Sequence, residues 1–367
     1  MKTKPPSDAT LRLMRVAIVH YWLLGMRGAE KVIEALCELL PEADIFTLFY
    51  DPEKVSSLIA SKNVRASFLN PLRGYYRSLL PLMPLALESL DLRGYDLVLS
   101  SESGPAKGVI VSSSTRTVCY CHTPMRYLWD LYPDYLHEFT TSPLKRAVMA
   151  PLANYLRLWD FASAARVDEF IANSANVRRR IKRVYGREAT VIHPPVDIDQ
   201  FFHRSAEDYY LVVSEFVAYK RLNYAVKHFS RTGQRLKLVG DGPEYKQLKS
   251  LAGSSIEFCG RVPQNQLREL YARSKGLIYP GEEDFGITMV EALASGKPVI
   301  ALGRGGAKEI VSPGCGILYH DTTEESLADA LQQVGTLLEP DSIQSTVRRF
   351  SPEQFRNGMS QILGLLN

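Results

Sequence analysis

The sequence predicts an α/β chain of two doubly wound, Rossmann-like domains facing each other across a cleft. Three observations carry this expectation. Short apolar runs that read as buried strands alternate with amphipathic helical stretches along most of the chain. The segment His193-Pro194-Pro195-Val196-Asp197 breaks regular structure and divides that alternation into two series. A length of 367 residues exceeds one simple core and suits two domains of ordinary size.

In the first series, Arg15 to His20 reads as a buried strand. Glu30 to Leu40 follows as a helix with Val32, Ile33, Leu36, Cys37 and Leu40 on one stripe. Further strands are expected at Asp96 to Ser100, Gly108 to Val111, Thr117 to Cys121 and Glu169 to Ala172, and Ser174 is the candidate N-cap of a helix over Ala175 to Tyr185. After the proline break, strands are expected at Tyr210 to Val213, Leu236 to Val239, Ile256 to Cys259, Gly276 to Tyr279 and Pro298 to Ala301. The stretch Pro352 to Leu366 reads as an amphipathic helix. No tandem repeat or low-complexity segment interrupts the pattern. Open sheets of this kind bind ligands at the carboxyl ends of their strands, so the site is expected in the cleft.

Composition narrows the function classes. Hydrophobic content of 46% with 23% charge is that of a globular chain and argues against extended disorder. The net charge of +4 is too mild to indicate nucleic acid. The five cysteines, Cys37, Cys119, Cys121, Cys259 and Cys315, are odd in number and scattered, which points to a reducing cytoplasm. Cys119 and Cys121 lie on one apparent strand and are expected to point to opposite faces. The first fourteen residues have no apolar signal core and read as a loose leader. No apolar run is long enough to cross a bilayer. Two stretches, Leu72 to Pro84 and Lys145-Arg146 with Tyr155, Leu156, Arg157 and Trp159, mix basic and large apolar residues. Either could rest on an anionic membrane surface at the inner face of the cell membrane, with core packing the alternative, slightly favoured for the second.

The densest chemical signal is a pair of glutamates, Glu283 and Glu291, around Asp284-Phe285-Gly286-Ile287-Thr288. The apolar run ending at Tyr279-Pro280 hands over to a helix that stops at Gly296-Lys297-Pro298. The loop at Gly286 then leaves unpaired backbone N–H groups at a positive helix end, a ready place for a diphosphate. Glu283 falls in the loop and Glu291 about one turn inside the helix. Carboxylates are poor partners for phosphate and good acceptors for sugar hydroxyls. One ligand carrying a sugar, a diphosphate and a ribose would use all three features; solvent-facing glutamates at an ordinary strand-to-helix junction are the alternative.

Residues 279 to 298, YPGEEDFGITMVEALASGKP, resemble the donor-binding signature of the family-four retaining glycosyltransferases of the GT-B fold. The resemblance runs from Arg15 to near the C-terminus with its motifs in the family's order. It implies an acceptor-binding domain over 15–192, a nucleotide-sugar-binding domain over 193–351, and a helix over 352–367 that crosses back onto the first domain. It implies that Glu283 meets the transferred sugar, Glu291 the ribose, and the backbone of Phe285, Gly286, Ile287 and Thr288 the diphosphate. Lys220, followed by Arg221, matches the lysine that neutralises the leaving diphosphate. Arg261 and Val262 lie where the base contacts the chain. Glu215 stands where the family usually has an arginine, and a carboxylate there would repel the phosphates unless it turns away or Arg221 substitutes.

On the acceptor side, His122 matches the family histidine beside the transferred sugar. Arg126 suits an acceptor phosphate bidentately, with Tyr127 beside it. Gly25 and Gly28 form a turn that lets an acceptor approach a helix N-terminus. This wording resembles bacterial GDP-mannose-dependent mannosyltransferases of surface-polysaccharide assembly. The implied activity is retaining transfer of a hexose, mannose from GDP-mannose favoured, to a lipid-linked or oligosaccharide acceptor. No cofactor and no metal are implied, and Asp197-Ile198-Asp199 reads as a turn and cap in place of a metal site. The rival readings are a nucleotide-sugar epimerase or hydrolase on the same architecture, and a donor-binding homologue that has lost transfer.

Overall fold

The computed structural model describes residues 14–133 and 143–365, so the leader expected before Arg15 lies almost wholly outside the described residues, as do Leu366 and the side chains of Lys145 and Arg146. The chain divides into two compact units, Met1–His193 with Phe355–Asn367, and Pro194–Gln354.

The first unit holds seven strands: β1 (Val16–His20), β2 (Asp44–Thr47), β3 (Val64–Ala66), β4 (Leu97–Glu102), β5 (Arg116–Cys121), β6 (Glu169–Ala172) and β7 (Ala189–Val191). They pair in parallel in the order β3-β2-β1-β4-β5-β6-β7. The chain reverses its winding between β1 and β4, where doubly wound sheets usually bind ligands. Buried on both faces, β1 and β4 begin as apolar runs and close on polar residues, His20 and Ser100-Ser101-Glu102. The helix Ala175–Tyr185 is capped as expected, the Val177 N–H donating to Ser174 Oγ at 3.1 Å.

The helix Pro352–Leu363 buries Phe355, Met359 and Leu363 beside Ile33, Leu36 and Ile192 of the first unit. Arg116 Nη2 also donates to the carbonyl of Ile362 at 2.7 Å. The last helix therefore completes the first core.

Three expectations need correction or addition. Gly108 to Val111 is not a strand: Ala106–Gly108 is a 3₁₀ turn, and β4 pairs directly with β5, leaving no room between them. The Glu102 carboxylate takes the Lys107 N–H at 2.9 Å, so no neighbouring strand serves it. Cys119 and Cys121 do not face opposite ways. Both pack into one buried cluster with Phe170 and Val177, as residues two apart on a strand must. The strands β2, β3 and β7 were not anticipated; β3 and β7 are three residues long and lie at the sheet edges, where Arg65 and Thr190 dilute the apolar signal.

The second unit holds β8 (Tyr210–Val213), β9 (Leu236–Val239), β10 (Ile256–Gly260), β11 (Leu277–Tyr279), β12 (Val299–Leu302) and β13 (Gly316–Tyr319). All pair in parallel, in the order β10-β9-β8-β11-β12-β13, with the reversal between β8 and β11. Only β13 lacks a counterpart in the sequence reading. Asp197 stands at the N-cap position of a 3₁₀ turn, Ile198–Gln200, without a side-chain cap bond, and its carboxylate accepts from the Gln200 side chain.

Candidate functional site

In the second unit the two segments leaving the reversal point meet. The chain leaving β8 carries Lys220, and the chain leaving β11 carries Glu283. Lys220 is buried between the rings of Tyr219 and Tyr279, 5.2 and 5.5 Å from their centroids. Its Nζ donates to Tyr279 Oη at 3.0 Å and pairs with Glu283 Oε2, which also accepts from Tyr279 Oη. This close approach depends on Gly281: a Cβ there would lie 2.8 Å from Lys220 Cα. The sequence reading assigned Lys220 and Glu283 to different parts of one ligand, and the fold brings them into direct contact.

Past Glu283 the backbone turns through Gly286, whose φ of 109° is open only to glycine, and enters the helix Ile287–Ala294. No side chain caps this helix, and among the described residues the N–H groups of Gly286, Ile287 and Thr288 have no acceptor. Ile287 and Thr288 are half-buried. Phe285 contributes backbone alone, because its ring packs in the core against Phe350 at 5.4 Å. Glu291 stands on the same helix and accepts from Tyr271 Oη at 2.8 Å. Burial, and then Glu291, push the Tyr271 phenol well above its ordinary pKa, so Tyr271 stays a donor that holds this carboxylate in place.

Arg221 is exposed in the left-handed region, with φ of 53°, the only non-glycine residue there among those described. Arg261 is exposed and Val262 half-buried just beyond β10, two strands along the sheet from β8. Glu215 is exposed in the loop after β8. All of these follow the carboxyl ends of parallel strands.

In the first unit the reversal point presents three polar side chains that close adjacent strands. His20 ends β1, its register partner Ser101 lies in β4, and His122 follows β5. His122 Nε2 lies 2.8 Å from Ser101 Oγ, and Ser101 Oγ lies 3.1 Å from His20 Nδ1. His20 Nε2 then faces Glu30 Oε1 at 3.6 Å, and Glu30 Oε2 accepts the Arg27 N–H at 2.9 Å. Burial, with the nearby His20, pushes the His122 imidazole down to about 3, so it is neutral at physiological pH. The helix Gly28–Leu39 begins at Gly28, and Gly25 has open space where a Cβ would stand. Arg126 and Tyr127 are half-buried after His122, with Tyr127 Oη donating to Met125 Sδ at 3.0 Å.

Beneath His122 lies a charged cluster that sequence reading missed. Lys107, fully buried, places Nζ 3.3 Å from Glu102 Oε1 and pairs with Asp160. Asp160 also accepts from Trp129 Nε1 at 2.7 Å and from Tyr185 Oη at 3.0 Å. Burial pushes the Glu102 carboxyl up to about 7; Lys107 opposes that shift and Asp160 adds to it. The available signals were a serine pair and a glutamate closing an apolar strand, and a histidine closing Val16-Ala17-Ile18-Val19.

Residues 26–200 match the model of Glycosyltransferase Family 4, and residues 196–340 that of Glycosyl transferases group 1. An uncharacterised glycosyltransferase of Methanocaldococcus jannaschii is 27% identical over 46% of this chain and 49% of its own length. A GDP-mannose-dependent alpha-mannosyltransferase of Mycolicibacterium smegmatis is 36% identical over 23% of this chain and 22% of its own. The chain thus spans half or less of the length of these curated relatives. The crystal structure of Anabaena HepE in complex with UDP superposes with a TM-score of 0.68, at 16% identity, over 96% of this chain and 100% of that one. The two parallel-sheet units are those of the GT-B fold.

Proposed function

From a chain that carries the Family 4 and group 1 glycosyltransferase models in succession on a GT-B fold, we propose that it transfers a hexose from a nucleotide diphosphate sugar to a lipid-linked or oligosaccharide acceptor, retaining the anomeric configuration and using no metal. The observation that carries this reading is the Lys220–Glu283 pair beside the acceptor-free N–H groups of Gly286, Ile287 and Thr288. The amides and Lys220 hold the diphosphate and balance the charge it gains as the glycosidic bond breaks. Glu283 accepts from hydroxyls of the transferred sugar, and Glu291, oriented by Tyr271, from the ribose. Arg221, Arg261 and Val262 serve the nucleotide end. His122 serves the sugar, and Gly25, Gly28, Arg126 and Tyr127 the acceptor. The donor phosphate acts as base toward the attacking hydroxyl.

GDP-mannose is the favoured donor because GDP-mannose-dependent mannosyltransferases are among the relatives. Screening GDP- and UDP-sugars by thermal shift should give the largest stabilisation with GDP-mannose, and NMR of the product should show a retained linkage. Donor consumption without acceptor would favour the epimerase or hydrolase reading. Donor binding with no product from any acceptor would favour a non-catalytic homologue, and an inverted linkage would remove the retaining mechanism.

Glu215 is exposed in the loop after β8, where water screens its charge, so Glu215→Arg should keep or raise the transfer rate. A large fall would give Glu215 a role of its own.

The lipid-linked acceptor agrees with the surface of the first unit. Among the described residues no helix is long and apolar enough to cross a membrane. Leu72, Tyr75, Leu82 and Leu85 are nevertheless exposed, and on the helix Pro143–Ala164 so are Tyr155, Leu158 and Phe161, while Asp160 of that helix is buried. The same regions carry Arg73, Arg77 and Arg157, which fits peripheral contact with an anionic bilayer. Flotation with liposomes containing anionic lipid should carry the protein upward, and neutral liposomes should carry less. Equal flotation in both would remove the charge-assisted contact.

A further inference from the structure

The groups that reach from the Gly25–Gly28 turn to His122 form one buried line: Glu30, His20, Ser101 and His122. We propose that Glu30, acting through His20 and Ser101, fixes the tautomer of His122, placing its proton on Nε2 and leaving Nδ1 as the hydrogen-bond acceptor. This rests on the reading that His122 serves the transferred sugar, and it adds which nitrogen receives a sugar hydroxyl.

Each link in the line has a fixed polarity. Glu30 lies in the first turn of the helix Gly28–Leu39 and accepts the Arg27 N–H, a setting that suits a carboxylate. A carboxylate can only accept. His20 Nε2 is buried without a hydrogen-bond partner and faces this carboxylate at 3.6 Å. That separation exceeds a direct hydrogen bond, yet the sign of the interaction still decides: an N–H toward the carboxylate is attractive, and a bare lone pair there is repelled at low dielectric. A neutral His20 therefore carries its proton on Nε2, and its Nδ1 accepts. The nearest group to Nδ1 is Ser101 Oγ, so the hydroxyl donates to His20. A hydroxyl has one proton, so toward His122 Ser101 can only accept, and His122 Nε2 must be the donor. Because burial keeps His122 neutral, the second nitrogen has no proton. Glu30, His20 and Ser101 are thus positioning residues that act through His122.

The test is the nitrogen NMR spectrum of protein labelled with ¹⁵N-histidine, with His122 assigned from the His122→Gln spectrum. The expected pattern has a pyrrole-like Nε2 and a pyridine-like Nδ1. In Glu30→Gln the carboxamide can donate to His20 Nε2, which reverses every link, so the two His122 signals should exchange. A pyrrole-like Nδ1 in the unsubstituted protein, or an unchanged His122 pattern in folded Glu30→Gln, overturns the proposal. Should Glu30→Gln fail to fold, Ser101→Ala decides: an undisturbed His122 pattern after the chain is cut overturns the proposal, and mixed tautomers support it. In turnover, Glu30→Gln should lower kcat by about 100-fold with donor KM unchanged, and Glu30→Asp should recover part of the loss. An unchanged kcat with exchanged signals overturns the functional half. The NMR readout needs neither donor nor acceptor, so exchanged signals in a protein that transfers no sugar would retire the transferase reading and leave the tautomer assignment intact.

Discussion

Lys220→Met is expected to lower kcat/KM for sugar transfer by about 100- to 1000-fold, the loss typical of removing one preorganised group from a developing anion. Lys220 is the buried cation at the reversal point of the second sheet, fixed by Tyr279 and Glu283, so it needs no reorganisation when charge appears. Removing it takes away the cation and leaves Glu283 without its partner beside the place proposed for the diphosphate, and both effects would oppose the proposed reaction. The thermal shift produced by the nucleoside diphosphate should shrink in parallel, while circular dichroism remains that of the folded protein. A loss below about threefold would mean that Lys220 serves only to position Glu283.

The largest effect on stability is expected in the first unit. Lys107→Met should cost about 3–5 kcal/mol, because it strands Glu102 and Asp160 without their cation in a fully buried cluster. The sign with pH follows from Glu102, whose carboxyl is raised from 4.5 to about 7. Its contribution is fully present below about 4.5 and is lost as pH rises through about 7. The variant lacks the lysine that restrains this rise, so its deficit should be larger near pH 8 than near pH 5 (both roughly chosen to bracket the titration). His122 works the other way: depressed from 6.5 to about 3, it contributes above 6.5 and loses that contribution as pH falls toward 3. The two slopes oppose each other over the interval they share, and acidification below it leaves only the destabilising one. Urea denaturation at the two pH values measures the deficit, and a loss under about 1 kcal/mol at the higher one would show that the carboxylates find other partners.

The sequence made the central strands legible because a strand buried on both faces is a short apolar run with no competing pattern. Tyr210 to Val213 and Leu236 to Val239 match residue for residue. The edge strands β3 and β7 were not legible, since three residues with a polar centre carry no period. Gly108 to Val111 misled because its apolar residues border a buried ionic cluster, and Ile110 itself is exposed. At the candidate site, Lys220, Glu283 and Glu291 were readable from the motif. Their fixing partners Tyr279 and Tyr271 were not, because tyrosine on a strand or helix reads first as packing. His20 and Ser101 were hidden for another reason: only the β1–β4 register places them side by side, and register is a property of pairing that one strand does not disclose.

The helix Pro352–Leu363 gives the protein an unusual order of assembly on the ribosome. The second unit is a single continuous stretch and can close as soon as it emerges, whereas the first-made sheet must wait for Phe355, Met359 and Leu363, each worth roughly 1.5–3 kcal/mol when buried. The half synthesised first is the half that matures last, and a chain cut short before Phe355 would leave Ile33 and Leu36 bare to chaperones while the other half stood finished.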